Sequence, residues 1–119
     1  GHGDELVIAD GNFSTAGYPE RVVRLDGHGV AEVLDAVLSL FPLDASSEST
    51  VTLMATDDGV QPGIWSVYQT IGDKHEPENY RTEQLERFAF YARAKSAYAV
   101  IATSEKALYA NIIIKKGVI

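Results

Sequence analysis

A chain of 119 residues with a formal net charge of −7 and no cysteine has room for one hydrophobic core and not two, so a single domain over 1–119 is expected. The missing thiols exclude a disulfide scaffold or a thiolate metal site and leave the cytoplasm as the default compartment; the acidic balance disfavours nucleic acid, whose affinity comes mainly from Lys and Arg on phosphates. No apolar run nears the roughly 20 residues of a membrane-spanning helix and no leader-like segment precedes the first strand, so a neutral small molecule is the easier partner.

In chain order, Leu6-Val7-Ile8-Ala9, closed by Asp10, Gly11 and Asn12, reads as a buried strand with a loop at its carboxyl end. Open α/β sheets usually place ligands at that end. Arg21-Val22-Val23-Arg24-Leu25 and the following Asp26-Gly27 read as a second strand and a turn. Val30, Val33, Leu34, Val37, Leu38 and Phe41 recur every three or four residues, one face of a helix that Pro42 stops. Val51-Thr52-Leu53-Met54-Ala55 is a third strand and Asp57-Asp58-Gly59 its turn, after which Pro62 suits the first turn of a short helix to about Ile71.

Beyond a loop holding His75, the residues Leu85, Phe88, Ala89 and Ala92 predict the inner face of a long helix over about 81–97, with Glu83, Glu86 and Arg93 on its polar side. Tyr98-Ala99-Val100-Ile101-Ala102 and Ile112-Ile113-Ile114 predict strands covered on both faces. Interleaved strands and helices predict an α/β fold: a mostly parallel central sheet with helices on both faces, the short last connection allowing an antiparallel pair.

Several polar residues stand where chemistry or plain structure would use them. His2, His28 and His75 are too scattered for metal-ligand spacing, so no metal and no cofactor is expected. Gly27-His28-Gly29 matches no complete phosphate-binding motif and is better read as a turn. His2, between two glycines at the chain start, reads on position alone as a terminal remnant. Asp10 suits capping its own turn as well as holding a ligand. Arg87, among positions read as core-facing, suits snorkelling or pairing with Glu, and Tyr109 and Asn111 suit satisfying loop backbone groups.

Taken together, Gly1-His2-Gly3-Asp4-Glu5 with Ala9-Asp10, Arg24-Leu25-Asp26-Gly27, Leu40-Phe41-Pro42-Leu43-Asp44, Tyr109-Ala110-Asn111 and Lys115-Lys116-Gly117-Val118 are similar in order and spacing to landmarks of the fucose mutarotase and ribose pyranase (RbsD/FucU) family over almost the whole chain. Arg87-Phe88-Ala89-Phe90-Tyr91 is close to the stretch found in the fucose branch. The resemblance implies an RbsD-like three-layer fold and a cofactor-free isomerase that exchanges α and β anomers of a monosaccharide, L-fucose first. It implies His2 as catalytic acid and Asp10, Arg87, Tyr109 and Asn111 as sugar contacts, in a closed homo-oligomer, a decamer.

Ser14 stands where relatives often have Pro, Ala110 replaces a Gly, and the family's leading helix is absent from this sequence. Alanine adopts positive φ less cheaply than glycine, so Ala110 is expected to alter a backbone contact to the sugar. D-ribose pyranase activity, a non-catalytic sugar-binding or transport-associated protein and a structural assembly subunit are the competing readings.

Overall fold

Strands that are apolar on both sides need cover on both sides. The computed structural model, which describes residues 3–16, 18 and 21–118, supplies it. Strands β1 (Glu5–Ala9), β2 (Val22–Leu25), β3 (Val51–Met54), β4 (Thr82–Leu85), β5 (Ala99–Thr103) and β6 (Ile112–Lys115) interleave with helices α1 (Val30–Leu40), α2 (Gly63–His75) and α3 (Arg87–Lys95). The sheet order is β2-β5-β1-β6-β3-β4. β1 with β5, β2 with β5 and β3 with β4 pair parallel, whereas β6 runs antiparallel between β1 and β3, Ile112 facing both Ile8 and Leu53.

Side-chain alternation then assigns the layers. Ile8, Leu53, Ile112 and Ile114 meet Val30, Leu34 and Val37 of α1 and Trp65 and Tyr68 of α2. Val7, Ala9, Met54, Val100 and Ile113 pack on the other face against Phe90 and Ala94 of α3. The three-layer α/β expectation therefore holds, and no helix among the described residues is long and apolar enough to cross a membrane.

Asp26 and Gly27 form a turn closed by the His28 N–H, which donates to the Leu25 carbonyl at 3.4 Å, and His28-Gly29 lead into α1. Gly27 has φ +86° and its N–H donates to Ser104 Oγ at 2.8 Å. Gly29 caps α1 without a side chain of its own; Glu105 serves instead, its Oε1 accepting from the Val30 N–H at 3.0 Å. Such an acceptor satisfies an orphan donor and places negative charge at the positive end of the helix. A Cβ at Gly29 would stand 2.8 Å from that same oxygen.

The expected long helix over 81–97 is corrected to a strand and a shorter helix. Thr82–Leu85 alternates in burial and pairs with β3, and the chain breaks at Glu86, whose carboxylate caps α3 by accepting from the Phe88 and Ala89 N–H groups at 2.9 and 2.7 Å. Edge pairing overrides helical periodicity here. Phe88 is 78% exposed, with Ala89 and Ala92 also exposed, and the buried face is Phe90 and Ala94. Arg93, assigned to the polar side, turns inward between Glu5 and Glu83 at 3.4 and 3.2 Å.

Helix α2 runs a turn beyond the expected end at Ile71, to His75, whose Nε2 meets Asp35 Oδ1 of α1 at 2.5 Å. Within it, buried Gly72 lies against the ring of Tyr80, where an added Cβ would overlap the ring carbons. Alanine ordinarily improves a helix over glycine by about 1 kcal/mol, but overpacking a closed core costs about 1–3 kcal/mol, and the Tyr80 ring is itself buried. Gly72→Ala is expected to lower the urea midpoint by the equivalent of up to about 2 kcal/mol with m unchanged. A midpoint at or above wild type would show the ring free to move aside.

Candidate active site

The antiparallel course of β6 decides where the polar residues meet. Its amino end lies beside the carboxyl ends of β1 and β3, so the residues before β6 gather with those after β1 and β3. There they line a cleft of about 240 Å³ that holds Asp10, Arg87, Tyr109 and Asn111, with Phe13, Met54 and Tyr91 as apolar wall. Four of the five expected site residues thus share one cleft at the end of the sheet where such folds place ligands.

Asp10 and Asn111 are both buried. The Asp10 N–H donates to Asn111 Oδ1 at 2.7 Å, which fixes the amide and leaves its NH2 as donor. Asp10 Oδ1 accepts from the Asn12 N–H at 3.0 Å, closing the turn. Of the two uses for Asp10, the turn cap is present. Burial pushes the Asp10 carboxyl above its ordinary value, only partly offset by the Asn12 and Phe13 backbone N–H groups, and the Glu105 charge adds to the rise.

The segment 109–111 is held from α2. Trp65 Nε1–H donates to the Tyr109 carbonyl at 3.0 Å and the Tyr68 hydroxyl to the Ala110 carbonyl at 2.6 Å; burial keeps the Tyr68 phenol protonated far above its usual range. Tyr109 adopts φ +57° and is the one non-glycine residue with positive φ among the described residues. This corrects the expectation for Ala110: the left-handed turn falls one residue earlier, and the buried alanine meets no positive-φ penalty.

Arg87 opens α3 at the cleft rim. The expected surface pairing is present, although with Asp57 rather than a glutamate: Nη2 lies 3.5 Å from Asp57 Oδ2. Trp65, Tyr68, Asp57 and Glu105 were not singled out from the sequence as site residues. Their only local signals were an aromatic pair on α2 and a turn-forming Asp-Asp-Gly, neither of which reports what it touches across the fold.

His2 lies outside the described residues. Its neighbour Gly3 donates its N–H to the Lys116 carbonyl at 2.8 Å, beside the Glu5–Lys115 end of the β1–β6 pair, and Asp10 lies past the opposite end. Between Gly3 and Asp10 runs β1, about 13 Å of extended chain.

The chain matches over residues 1–119 the model of the RbsD / FucU transport protein family. It is 47% identical to a fucose mutarotase of Danio rerio, covering 100% of this chain and 82% of that protein. It is 43% identical to an L-fucose mutarotase of Actinobacillus pleuropneumoniae serotype 5b (strain L20), covering 99% and 83%. The crystal structure of the fucose mutarotase in complex with L-fucose from Streptococcus pneumoniae superposes with a TM-score of 0.91 at 42% identity, covering 100% of this chain and 86% of that one.

Proposed function

We propose, since the chain belongs to the RbsD / FucU transport protein family, that it is a mutarotase exchanging the α and β anomers of L-fucose by acid–base opening and reclosure of the ring. The observation that carries this is the convergence of Asp10, Arg87, Tyr109 and Asn111 on one cleft of monosaccharide size, in a chain 41–47% identical to several proteins named fucose mutarotase.

Mutarotation takes the proton from the anomeric hydroxyl, breaks the bond from the anomeric carbon to the ring oxygen and adds a proton to that oxygen. The aldehyde rotates and closes again. The two proton transfers balance without a redox partner or cofactor. Asp10 Oδ2 accepts from a sugar hydroxyl, the Asn111 NH2 donates to one, and Arg87 offers several donors in a fixed fork. Tyr109 supplies a phenol able to donate or accept. His2 is the general acid, because imidazole with an unperturbed pKa of about 6.5 both gives and takes protons near neutrality.

The chain works in a closed homo-oligomer, a decamer in keeping with the family resemblance, in which a cleft can draw on more than one copy. Exposed Phe88, Leu108 and Val60 near the cleft support such contacts, being 78%, 72% and 66% accessible in the single chain. The unit is one domain over 1–119, working in the cytoplasm.

Magnetisation-exchange NMR tests the activity. Catalytic amounts of protein should raise α-to-β exchange of L-fucose well above the spontaneous rate, and by more than they raise pyranose–furanose exchange of D-ribose. Fucose binding with no gain in exchange would support the transport-associated alternative and end the mutarotase reading.

A further inference from the structure

We infer that Asp57 is a positioning residue of this cleft, a rim carboxylate that holds the Arg87 guanidinium and the Tyr109 hydroxyl in fixed relation to one another. The inference rests on the mutarotase reading for its kinetic consequence, but its geometry stands without it.

A single oxygen makes both contacts. Asp57 Oδ2 is 3.5 Å from Arg87 Nη2 and accepts from the Tyr109 hydroxyl at 3.4 Å. The Asp57 backbone N–H donates back to the same phenol oxygen, also at 3.4 Å. The phenol is therefore gripped twice, giving its proton to the side chain and accepting one from the main chain. Tyrosine oxygen has two lone pairs; with one taken, the other is left for a sugar hydroxyl. Contacts of this length are typical of catalytic hydrogen bonds before substrate arrives, which tighten in the complex.

The loop that carries Asp57 is itself fixed. Asp58 Oδ1 accepts from the Val60 N–H at 2.9 Å, Thr56 Oγ1 donates to the Val60 carbonyl at 3.1 Å, and Gly59 takes φ +73°. The other end of Tyr109 is held by Trp65. The tyrosine is thus tied at its backbone from α2 and at its ring from the β3 loop, with Arg87 joined to the same loop. Asp57 is 83% exposed in its side chain, so a stability role is excluded by its surroundings: surface ion pairs contribute little to folding. What such a rim contact can do is set the relative placement of two ligand groups, where small misplacements carry large rate penalties.

Two measurements test this. In protein labelled at tyrosine 13Cζ, the Tyr109 resonance is assigned by its loss in Tyr109→Phe, and in Asp57→Asn it should shift in the absence of sugar. In exchange kinetics, Asp57→Asn should lower the limiting rate by about tenfold with an unchanged thermal midpoint. Asp57→Glu should recover part of the rate, and the effect of Asp57→Asn should vanish in a Tyr109→Phe, Arg87→Lys background. An unmoved Tyr109 resonance overturns the inference, as does a wild-type rate in Asp57→Asn or a full tenfold loss in the double background. If wild-type protein gives no exchange, the mutarotase reading fails by itself, and the resonance alone decides the contact.

Discussion

Alanine in place of His2 is expected to slow catalysed anomer exchange of L-fucose by about 10²-fold or more, the usual contribution of a positioned acid or base. Opening the ring needs a proton delivered to the ring oxygen as its bond to the anomeric carbon breaks. Among the residues matched to the family, only an imidazole exchanges protons readily at neutral pH without a shifted pKa. The tether of Gly3 at the far end of β1 adds a sharper test. If His2 of one chain serves the cleft of another, co-expressing His2→Ala with Asp10→Asn builds mixed oligomers in which some clefts have both groups intact. Random assembly restores roughly a quarter of the wild-type rate. An undiminished rate in His2→Ala removes the imidazole from the mechanism, and mixed oligomers as slow as either parent would put both groups in one chain.

Asp10→Asn separates activity from stability. Asparagine keeps an oxygen for the Asn12 N–H, so the turn survives. The sugar loses a charged acceptor, and a hydrogen bond to a charged group is worth about 1.5–3 kcal/mol, so exchange should fall by about 10- to 10²-fold. Stability should move the other way. Burial raises the folded-state pKa of Asp10, so its protonated form favours the fold at low pH, and that contribution is lost as pH rises through the raised value. At neutral pH the ionised, buried carboxylate destabilises the protein, and asparagine relieves it. The thermal midpoint of Asp10→Asn should equal or exceed wild type at pH 7, with the difference shrinking as the pH falls below the carboxylate range. A variant markedly less stable at pH 7 would show that the negative charge supports the fold.

The sequence was most legible where one period dominates. The stripe from Val30 to Phe41 gave α1 within a residue, and the apolar runs at 6–9, 51–55 and 112–114 gave β1, β3 and β6 nearly to their ends. It misled over 81–97, where Leu85, Phe88, Ala89 and Ala92 imitate a helical face. One deciding fact was remote, a free edge on β3 able to pair Thr82–Leu85; the other was local, the capping carboxylate of Glu86, which the apolar spacing overrode. The cleft divides similarly. Asp10, Arg87, Tyr109 and Asn111 were selected by resemblance and not by local pattern, since each had an adequate structural use. The groups that hold them, Trp65, Tyr68 and Asp57, act across more than 40 residues of chain, a separation at which periodicity carries no information.

The placement of β6 also governs how the molecule can be made. It follows the other five strands in the chain yet lies between β1 and β3, the seam joining the β2-β5-β1 half of the sheet to the β3-β4 half. Until Ile112 to Lys115 have left the ribosome, a nascent chain holds two half-sheets with facing, unsatisfied backbone edges and an exposed apolar interior, the kind of surface that recruits aggregation partners or chaperones. Closing the seam brings together segments about a hundred residues apart, as the Ile8–Ile112 pairing does, so maturation waits on slow long-range strand insertion. The cleft, built from both sides of that seam, comes into existence only at this final step.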